Sequence, residues 1–173
     1  MEALLPLIVD VPNFPKPGVT FKDFTPLLRD PRGLALAVEL MANPFRGSSV
    51  DVVVGAESRG FIFGIAVAQA LSAGFVPVRK AGKLPRKVRA VQYALEYGTD
   101  RLEMHEDALQ PGQRVLLVDD LLATGGTLEA CATMVSQLAD VKFVGISVLI
   151  ELTALAGARK VSRFAPVHSV IKV

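Results

Sequence analysis

The chain has few of the residues from which disulfide frameworks and metal clusters are built. Its 173 residues include one cysteine, Cys131, and two histidines, His105 and His168. A single cysteine cannot close an intramolecular disulfide, and these residues do not have the spacing of metal ligands. We therefore interpret Cys131 as a small buried apolar side chain and both histidines as structural, and we expect a reducing, cytoplasmic setting.

The chain also lacks a marked excess of either charge. Its 19 lysines and arginines stand against 17 aspartates and glutamates, which gives a formal net charge of +2. A protein that binds nucleic acid through bulk electrostatic attraction is usually more basic, so we expect no nucleic-acid partner.

One segment, residues 60–78, lacks charged residues altogether and is long enough to suggest a membrane span. Two glycines, Pro77 and several polar residues interrupt it, so we predict a buried helix to about Ala73, a glycine turn and a strand. The N-terminus carries Glu2 and no basic region, which is not the pattern of a signal peptide. We expect no membrane partner.

Apolar runs alternate with helical patterns, and no internal repeat or low-complexity linker interrupts them. The predicted elements are strands at 51–55, 75–78, 115–118, 141–152 and 167–171, helices at 31–41, 60–73 and 128–138, and a hairpin at 91–97 and 101–105. A short helix or irregular arm is predicted at 1–10, an ordered loop at 11–18 and a short helix at most at 153–157. The alternation predicts the α/β class, with a mainly parallel sheet in a single domain, 1–173, and ligands at the carboxyl ends of its strands.

The most informative stretch runs from Arg114 to Cys131. An apolar strand leads into Asp119 and Asp120, and a glycine-rich turn precedes a helix; the turn comprises Ala123, Thr124, Gly125, Gly126 and Thr127. The glycines and the helix start expose unpaired N–H groups that suit a phosphate, while the aspartates suit hydroxyls or a cation held through water. The pattern favours a sugar phosphate over the alternative, an ordinary strand–turn–helix. No lysine follows the second glycine and no G-x-G-x-x-G is present, which excludes a Walker A loop and a dinucleotide fingerprint.

Two further segments carry groups that suit a pyrophosphate. Ser58 and Arg59 lie between a predicted strand and a helix start. The predicted loop 79–89 holds six basic residues, which favours a mobile cationic flap that closes over a polyphosphate. The alternatives are a capped helix with an exposed arginine and a solvated charged surface. Glu96, near the flap, is a candidate acid/base, or else a surface glutamate.

The stretch from Val115 to Thr127 resembles, almost letter for letter, the phosphoribosyl-pyrophosphate signature of the type I phosphoribosyltransferases. Other segments are similar, in the same order, to the adenine-specific branch of that family: 14–18, 21–23, 58–64, 76–80, 82–85 and 95–98. The similarity covers about 11–152. The segments at 58–64 and 95–98 distinguish this branch from its hypoxanthine and orotate relatives.

The resemblance implies a type I phosphoribosyltransferase fold with a small hood from 1–30 and a flexible flap and hairpin at 79–105. It implies a glycosyltransferase of purine salvage, which makes AMP and pyrophosphate from adenine and 5-phosphoribosyl 1-pyrophosphate (PRPP) with Mg²⁺, as a homodimer. Two alternatives stay open: transfer to hypoxanthine, guanine or xanthine, and a non-catalytic regulator that binds PRPP.

The resemblance also implies roles for individual residues. Asp119 and Asp120 would hold the ribose hydroxyls, with Mg²⁺ nearby through substrate or water, and residues 123–127 would wrap the 5′-phosphate. The groups implied at the pyrophosphate are Ser58, Arg59, Arg79, Lys80 and Lys83, some of them across a dimer interface. The groups implied at the adenine are Thr20, Phe21 and Lys22, together with the proton-handling Glu96, and Tyr97 is implied as a further substrate-binding residue.

Overall fold

The computed structural model describes residues 2–94, 99–138 and 140–173. Its strands are β1 (Val9–Pro12), β2 (Thr20–Asp23), β3 (Val52–Ala56), β4 (Gly74–Lys80), β5 (Val88–Ala94), β6 (Thr99–His105), β7 (Arg114–Leu122), β8 (Lys142–Glu151) and β9 (Val167–Lys172). Its α-helices are α1 (Thr25–Arg29), α2 (Pro31–Ala42), α3 (Gly60–Ala70), α4 (Gly126–Ser136) and α5 (Gly157–Val161). Short 3-10 helices lie at Glu2–Leu7, Asn43–Ser48 and Thr153–Leu155.

Seven strands form one sheet in the order β5-β6-β4-β3-β7-β8-β9. The neighbouring strands β4, β3, β7, β8 and β9 are parallel to one another, whereas β6 pairs antiparallel with both β4 and β5. Parallel strands need long connections, and helices supply several of them here. The predicted α/β class with a mainly parallel sheet is confirmed.

The two faces of the sheet carry separate apolar cores. Along β7, Val115 and Leu117 face the core that α4 covers, while Leu116 and Val118 face the core beneath α2 and α3. Burial on both faces explains why the central strands are continuous apolar runs. Cys131 on α4 is fully buried, as interpreted from the sequence, and its burial raises the pKa of its thiol.

The helix boundaries follow the local signals closely. The carboxylate of Asp30 accepts a hydrogen bond from the Gly33 N–H at 2.6 Å, so the predicted cap opens α2 at Pro31. The uncharged segment folds as predicted into a helix, a turn and a strand, although α3 already ends at Ala70. Within the described ranges, no helix combines the length and apolar character needed to cross a bilayer.

The basic loop is shorter than predicted. β4 continues through Arg79 and Lys80, which pair with Glu103 and Leu102 of β6, and β5 begins at Val88. The connection between the two strands is therefore 81–87. The prediction was wrong because charged residues at the end of a strand resemble a loop until an antiparallel partner takes up their backbone groups.

The N-terminal segment was also predicted with too little structure. After the 3-10 helix, β1 and β2 form a two-stranded antiparallel sheet, with Asp10 opposite Lys22. The prolines that suggested a loop lie at the end of β1 and in the connection, where they remove no necessary hydrogen bond.

Candidate active site

A cavity of about 380 Å³ opens where β3 and β7 end. Its lining consists of Glu57, Ser58, Arg59, Tyr93, Asp119–Leu128 and Leu155. Four segments far apart in the chain thus meet at the carboxyl ends of two neighbouring parallel strands, where α/β folds place ligands. Of the predicted site residues, the cavity brings together Ser58, Arg59, the two aspartates and the whole glycine-rich turn.

Two adjacent carboxylates lie in the floor of this cavity. Asp119 and Asp120 belong to β7, which extends beyond the predicted strand, and their exposed fractions are 7% and 4%. Asp119 Oδ1 accepts a hydrogen bond from the Asp120 N–H at 2.9 Å. Burial, together with the neighbouring negative charge of Asp120, raises the pKa of Asp119 well above its ordinary value of 3.8.

Gly60 makes room for this carboxylate at the start of α3. A Cβ atom at Gly60 would lie 2.7 Å from Asp119 Oδ1 and 3.4 Å from the Val118 carbonyl oxygen. The absence of a side chain lets the helix approach β7 closely, which brings Ser58 and Arg59 beside the aspartates.

Arg59 links the carboxylates to the N-terminal segment. Its Nε lies 2.8 Å from Asp120 Oδ2. The N–H is not aligned with that oxygen, so the contact is an ion pair, and Asp120 Oδ2 accepts no hydrogen bond from any described residue. The guanidinium carbon also lies 5.5 Å from the centre of the Phe21 ring and 5.9 Å from that of Phe24.

The glycine-rich turn presents the start of α4 to the cavity. Gly125 has φ 81°, which favours glycine, and α4 begins at the next residue. No described side chain caps this first turn, so its N–H groups and the positive end of the helix dipole remain available to a ligand. The arrangement suits an anion.

The C-terminal segment 155–157 supports this turn, a contact that the sequence did not predict. A Cβ at Gly157 would lie 2.1 Å from the Ala123 carbonyl oxygen and 2.8 Å from the Gly125 nitrogen. Leu155 from the same segment lines the cavity. The five-residue helix α5 was missed because so short an element shows no periodic pattern, and the glycine at 157 was the available signal.

Two of the basic side chains predicted for a pyrophosphate, Arg79 and Lys83, converge on Glu57, a residue that the sequence did not single out, whereas the Lys80 ammonium lies 3.5 Å from Asp100. Glu57 Oε2 accepts hydrogen bonds at 3.1 Å from Arg79 Nε and from the Lys80 backbone N–H, and Oε1 accepts one from the Lys83 ammonium. Burial alone would raise the pKa of Glu57, but these bonds outweigh it and hold the pKa below the ordinary value of 4.5. The peptide bond between Glu57 and Ser58 is cis.

The residues predicted at a base divide between two locations. Phe21 faces Arg59, whereas Lys22 Nζ lies 2.8 Å from both carboxylate oxygens of Asp10. Lys22 lines a second, smaller cavity of about 100 Å³, whose other walls are largely apolar. Thr20 precedes both on the exposed start of β2.

Glu96 and Tyr97 lie outside the described residues. Tyr93, which lies on β5 and was not selected from the sequence, lines the main cavity. Its hydroxyl donates a hydrogen bond to Asp100 Oδ2 at 3.3 Å. Burial and the charge of Asp100 raise the pKa of Tyr93.

Comparisons with known proteins agree closely with this arrangement. The family model of the phosphoribosyl transferase domain matches residues 25–170. An adenine phosphoribosyltransferase from Rhodopirellula baltica is 53% identical over 163 residues, which cover 94% of this chain and 78% of that protein.

Two crystal structures are similar over almost their whole length. Adenine phosphoribosyltransferase from Rhodothermus marinus superposes with a TM-score of 0.93 and 51% identity, covering 99% of this chain and 97% of that one. The enzyme from Saccharomyces cerevisiae, crystallised with adenine and an imino-altritol bisphosphate, gives a TM-score of 0.92 and 38% identity, covering 98% and 97%.

Proposed function

The chain belongs to the adenine phosphoribosyltransferase family, and from that premise we propose how its own residues carry out purine salvage. The reaction joins adenine to the ribose of PRPP and gives AMP and pyrophosphate. The observation that carries the proposal is the cavity itself, where two buried carboxylates lie beside an uncapped helix start and an arginine.

The 5′-phosphate is bound by the turn at 123–127. Gly125 allows the left-handed backbone, and the first N–H groups of α4 donate to the phosphate oxygens. The hydroxyls of Thr124 and Thr127 add donors at the same place. Because the backbone supplies most of this site, the phosphate is held without a lysine.

The ribose is bound by Asp119 and Asp120, whose carboxylates accept hydrogen bonds from its hydroxyls. The pKa of Asp119 is raised despite the nearby Arg59, and Asp120 Oδ2 forms an ion pair with Arg59 but accepts no hydrogen bond from any described residue, so a divalent cation would supply positive charge that this pair still needs. The described residues hold no cluster of three or more metal-ligating side chains. Mg²⁺ therefore fits here as an ion held through water and substrate oxygens rather than in a protein cage.

The pyrophosphate is bound at the Ser58–Arg59 turn. Arg59 lies beside Asp120 and lines the same cavity. Arg79, Lys80 and Lys83 supply further positive charge from β4 and from the 81–87 connection, in part from a second copy of the chain.

The adenine is bound between the N-terminal hood, residues 1–30, and the end of β7. Phe21 offers a ring beside Arg59, and Thr20 and Lys22 offer backbone groups of the same strand. From the resemblance, Glu96 takes or relays a proton of the purine, and Tyr97 is a further substrate-binding residue.

In the reaction, pyrophosphate leaves C1 of the ribose while N9 of adenine attacks the opposite face. Positive charge grows on the sugar, and Asp119 and Asp120 stabilise it from the hydroxyl side. Arg59, Arg79 and Lys83 offset negative charge on the leaving group, and Mg²⁺, when bound near Asp119 and Asp120, would supply further positive charge there. Fixing both substrates in one cavity supplies much of the acceleration.

We further propose that the chain is one domain and forms a homodimer in the cytoplasm. Helix α3 contains no charged residue, yet Ile62 and Ile65 are 42% and 48% exposed. A helix that is apolar on all sides is usually buried, so a second copy is the natural cover for this face. The free, buried Cys131 supports a reducing compartment.

The proposal is tested by incubating the protein with radiolabelled PRPP, Mg²⁺ and each of adenine, hypoxanthine, guanine and xanthine. We expect labelled AMP from adenine and little of the other nucleotides. A different nucleotide would change the base, and binding of PRPP with no nucleotide formed would indicate a non-catalytic regulator.

A further inference from the structure

Glu57 lines the main cavity and contacts two of the cations assigned to the pyrophosphate. Its side chain lines the cavity and is 9% exposed. Arg79 and Lys83 both contact its carboxylate, and neither of them lines the cavity. The carboxylate therefore holds both cations next to a residue of the cavity lining, although they do not line the cavity themselves.

The bonding of this carboxylate imitates that of an anionic ligand. One oxygen accepts from a guanidinium N–H and a backbone N–H, and the other accepts from an ammonium group. Phosphate oxygens recruit the same donors with similar geometry. Since the pKa of Glu57 is held low, its carboxylate is charged at neutral pH and competes for those donors with an arriving phosphate.

The two cations are held with different firmness. Arg79 lies on β4, its side chain is 35% exposed, and it also donates to the Lys83 carbonyl oxygen at 3.3 Å. Lys83 lies in the 81–87 connection, and its side chain is 48% exposed. Lys83 is therefore the cation that exchanges partners most readily.

We propose that Glu57 is an internal counter-ion: it positions Arg79 and Lys83 at the rim of the empty cavity and releases Lys83 when the pyrophosphate group of the donor binds. The inference rests on the proposed function, because it assumes that a pyrophosphate occupies the Ser58–Arg59 end of the cavity. Glu57 is then a further functional residue of the site. Its negative charge opposes the binding of pyrophosphate, while its contacts keep Arg79 and Lys83 close to the cavity.

The expected consequence is that Glu57→Gln binds inorganic pyrophosphate more tightly than the wild type. A neutral amide competes less for Lys83, so the dissociation constant should fall about two- to fivefold, the range of a partly exposed ion pair. The gain should shrink as ionic strength rises, because salt screens the competing contact.

The measurement is calorimetric titration of inorganic pyrophosphate, at constant excess Mg²⁺, into the wild type, Glu57→Gln, Lys83→Met and the double variant. Lys83→Met should weaken binding more in the Glu57→Gln background than in the wild type, because Glu57 no longer occupies the lysine beforehand. Glu39→Gln is the matched control. Its carboxylate also binds an arginine, Arg46, through both oxygens, but outside the cavity lining.

Unchanged or weaker pyrophosphate binding by a folded Glu57→Gln variant would overturn the counter-ion role, as would an equal effect of Lys83→Met in both backgrounds. Should Glu57→Gln fail to fold, Glu57→Asp gives the same test, since the shorter carboxylate withdraws from Lys83 and should also tighten binding. If the wild type forms AMP but the Glu57 variants bind pyrophosphate no more tightly than the wild type does, only this inference is rejected. If the wild type neither binds pyrophosphate nor forms nucleotide, the proposed function is rejected.

Discussion

At the scale of single residues, the two aspartates of β7 make the empty site unfavourable. Burial and like charge raise the pKa of Asp119, so ionising this group costs more in the folded chain than in the unfolded chain. Bound ribose hydroxyls and a cation relieve that cost. The same arrangement that binds substrate therefore lowers the stability of the free protein.

We predict that Asp119→Asn loses donor affinity and gains stability. PRPP binding should weaken at least about tenfold, as expected for loss of hydrogen bonds to a charged group. At neutral pH the melting temperature of the free protein should rise by about 2–4 °C, the shift that about 1 kcal/mol gives in a chain of this size.

The gain should depend on pH with a definite sign. Because its folded-state pKa is raised, Asp119 destabilises the wild type least below the ordinary value of 3.8, and its destabilising contribution grows as pH rises toward the folded value. The advantage of the asparagine variant should thus be absent near pH 3.8 and grow above it, in calorimetric melts across that range. Asp107→Asn is the control: its side chain is 63% exposed, so this change should alter stability little. A stability gain of Asp119→Asn that is already present below pH 3.8 would contradict this prediction.

At the scale of secondary structure, the phosphate turn depends on an element that is remote in the chain. β7 and α4 supply the turn, but α5 supports it through the contact of Gly157 with Ala123 and Gly125. The contact joins backbone to backbone, so a flexible side chain cannot absorb a change there. The position of the phosphate site is therefore set jointly by three elements.

We predict that Gly157→Ala raises the KM for PRPP and lowers stability by about 1–3 kcal/mol, since the added methyl group would displace the turn. Gly47→Ala is a matched control, because a Cβ at Gly47 meets nothing within 4 Å. Steady-state kinetics and thermal melts of both variants check this. A normal KM in Gly157→Ala would show that α5 does not position the turn.

At the scale of the whole molecule, α3 covers one face of the sheet and also has apolar side chains on the side that faces away from the sheet. Phe63 and Val67 of α3 pack into the core, while Ile62 and Ile65 face away from it. The same helix begins beside the Asp119 carboxylate. A second copy that packs on α3 would consequently lie close to the pyrophosphate end of the cavity.

We predict that the wild type sediments at twice its chain mass of 18.5 kDa and that Ile65→Glu shifts it toward the single-chain mass. A buried glutamate without a partner opposes association. Val9→Glu, at another exposed apolar residue, should leave the mass unchanged. A wild type that sediments as a single chain would refute the homodimer.

The sequence by itself determined the α/β class, the order of the main elements and the turn that follows β7. These features have local causes: apolar runs form strands, Asp30 caps a helix, and glycines allow a left-handed turn. The similarity of these segments to one family was also visible before any coordinates.

Only the tertiary structure decided which distant groups meet. Glu57 holds Arg79 and Lys83, Gly157 supports Ala123, and Asp10 pairs with Lys22. Each contact joins residues from different elements, and its partners have no common local pattern. The register of β4 with β6 likewise converted part of a predicted loop into strand, because the backbone partner came from a segment about twenty residues away.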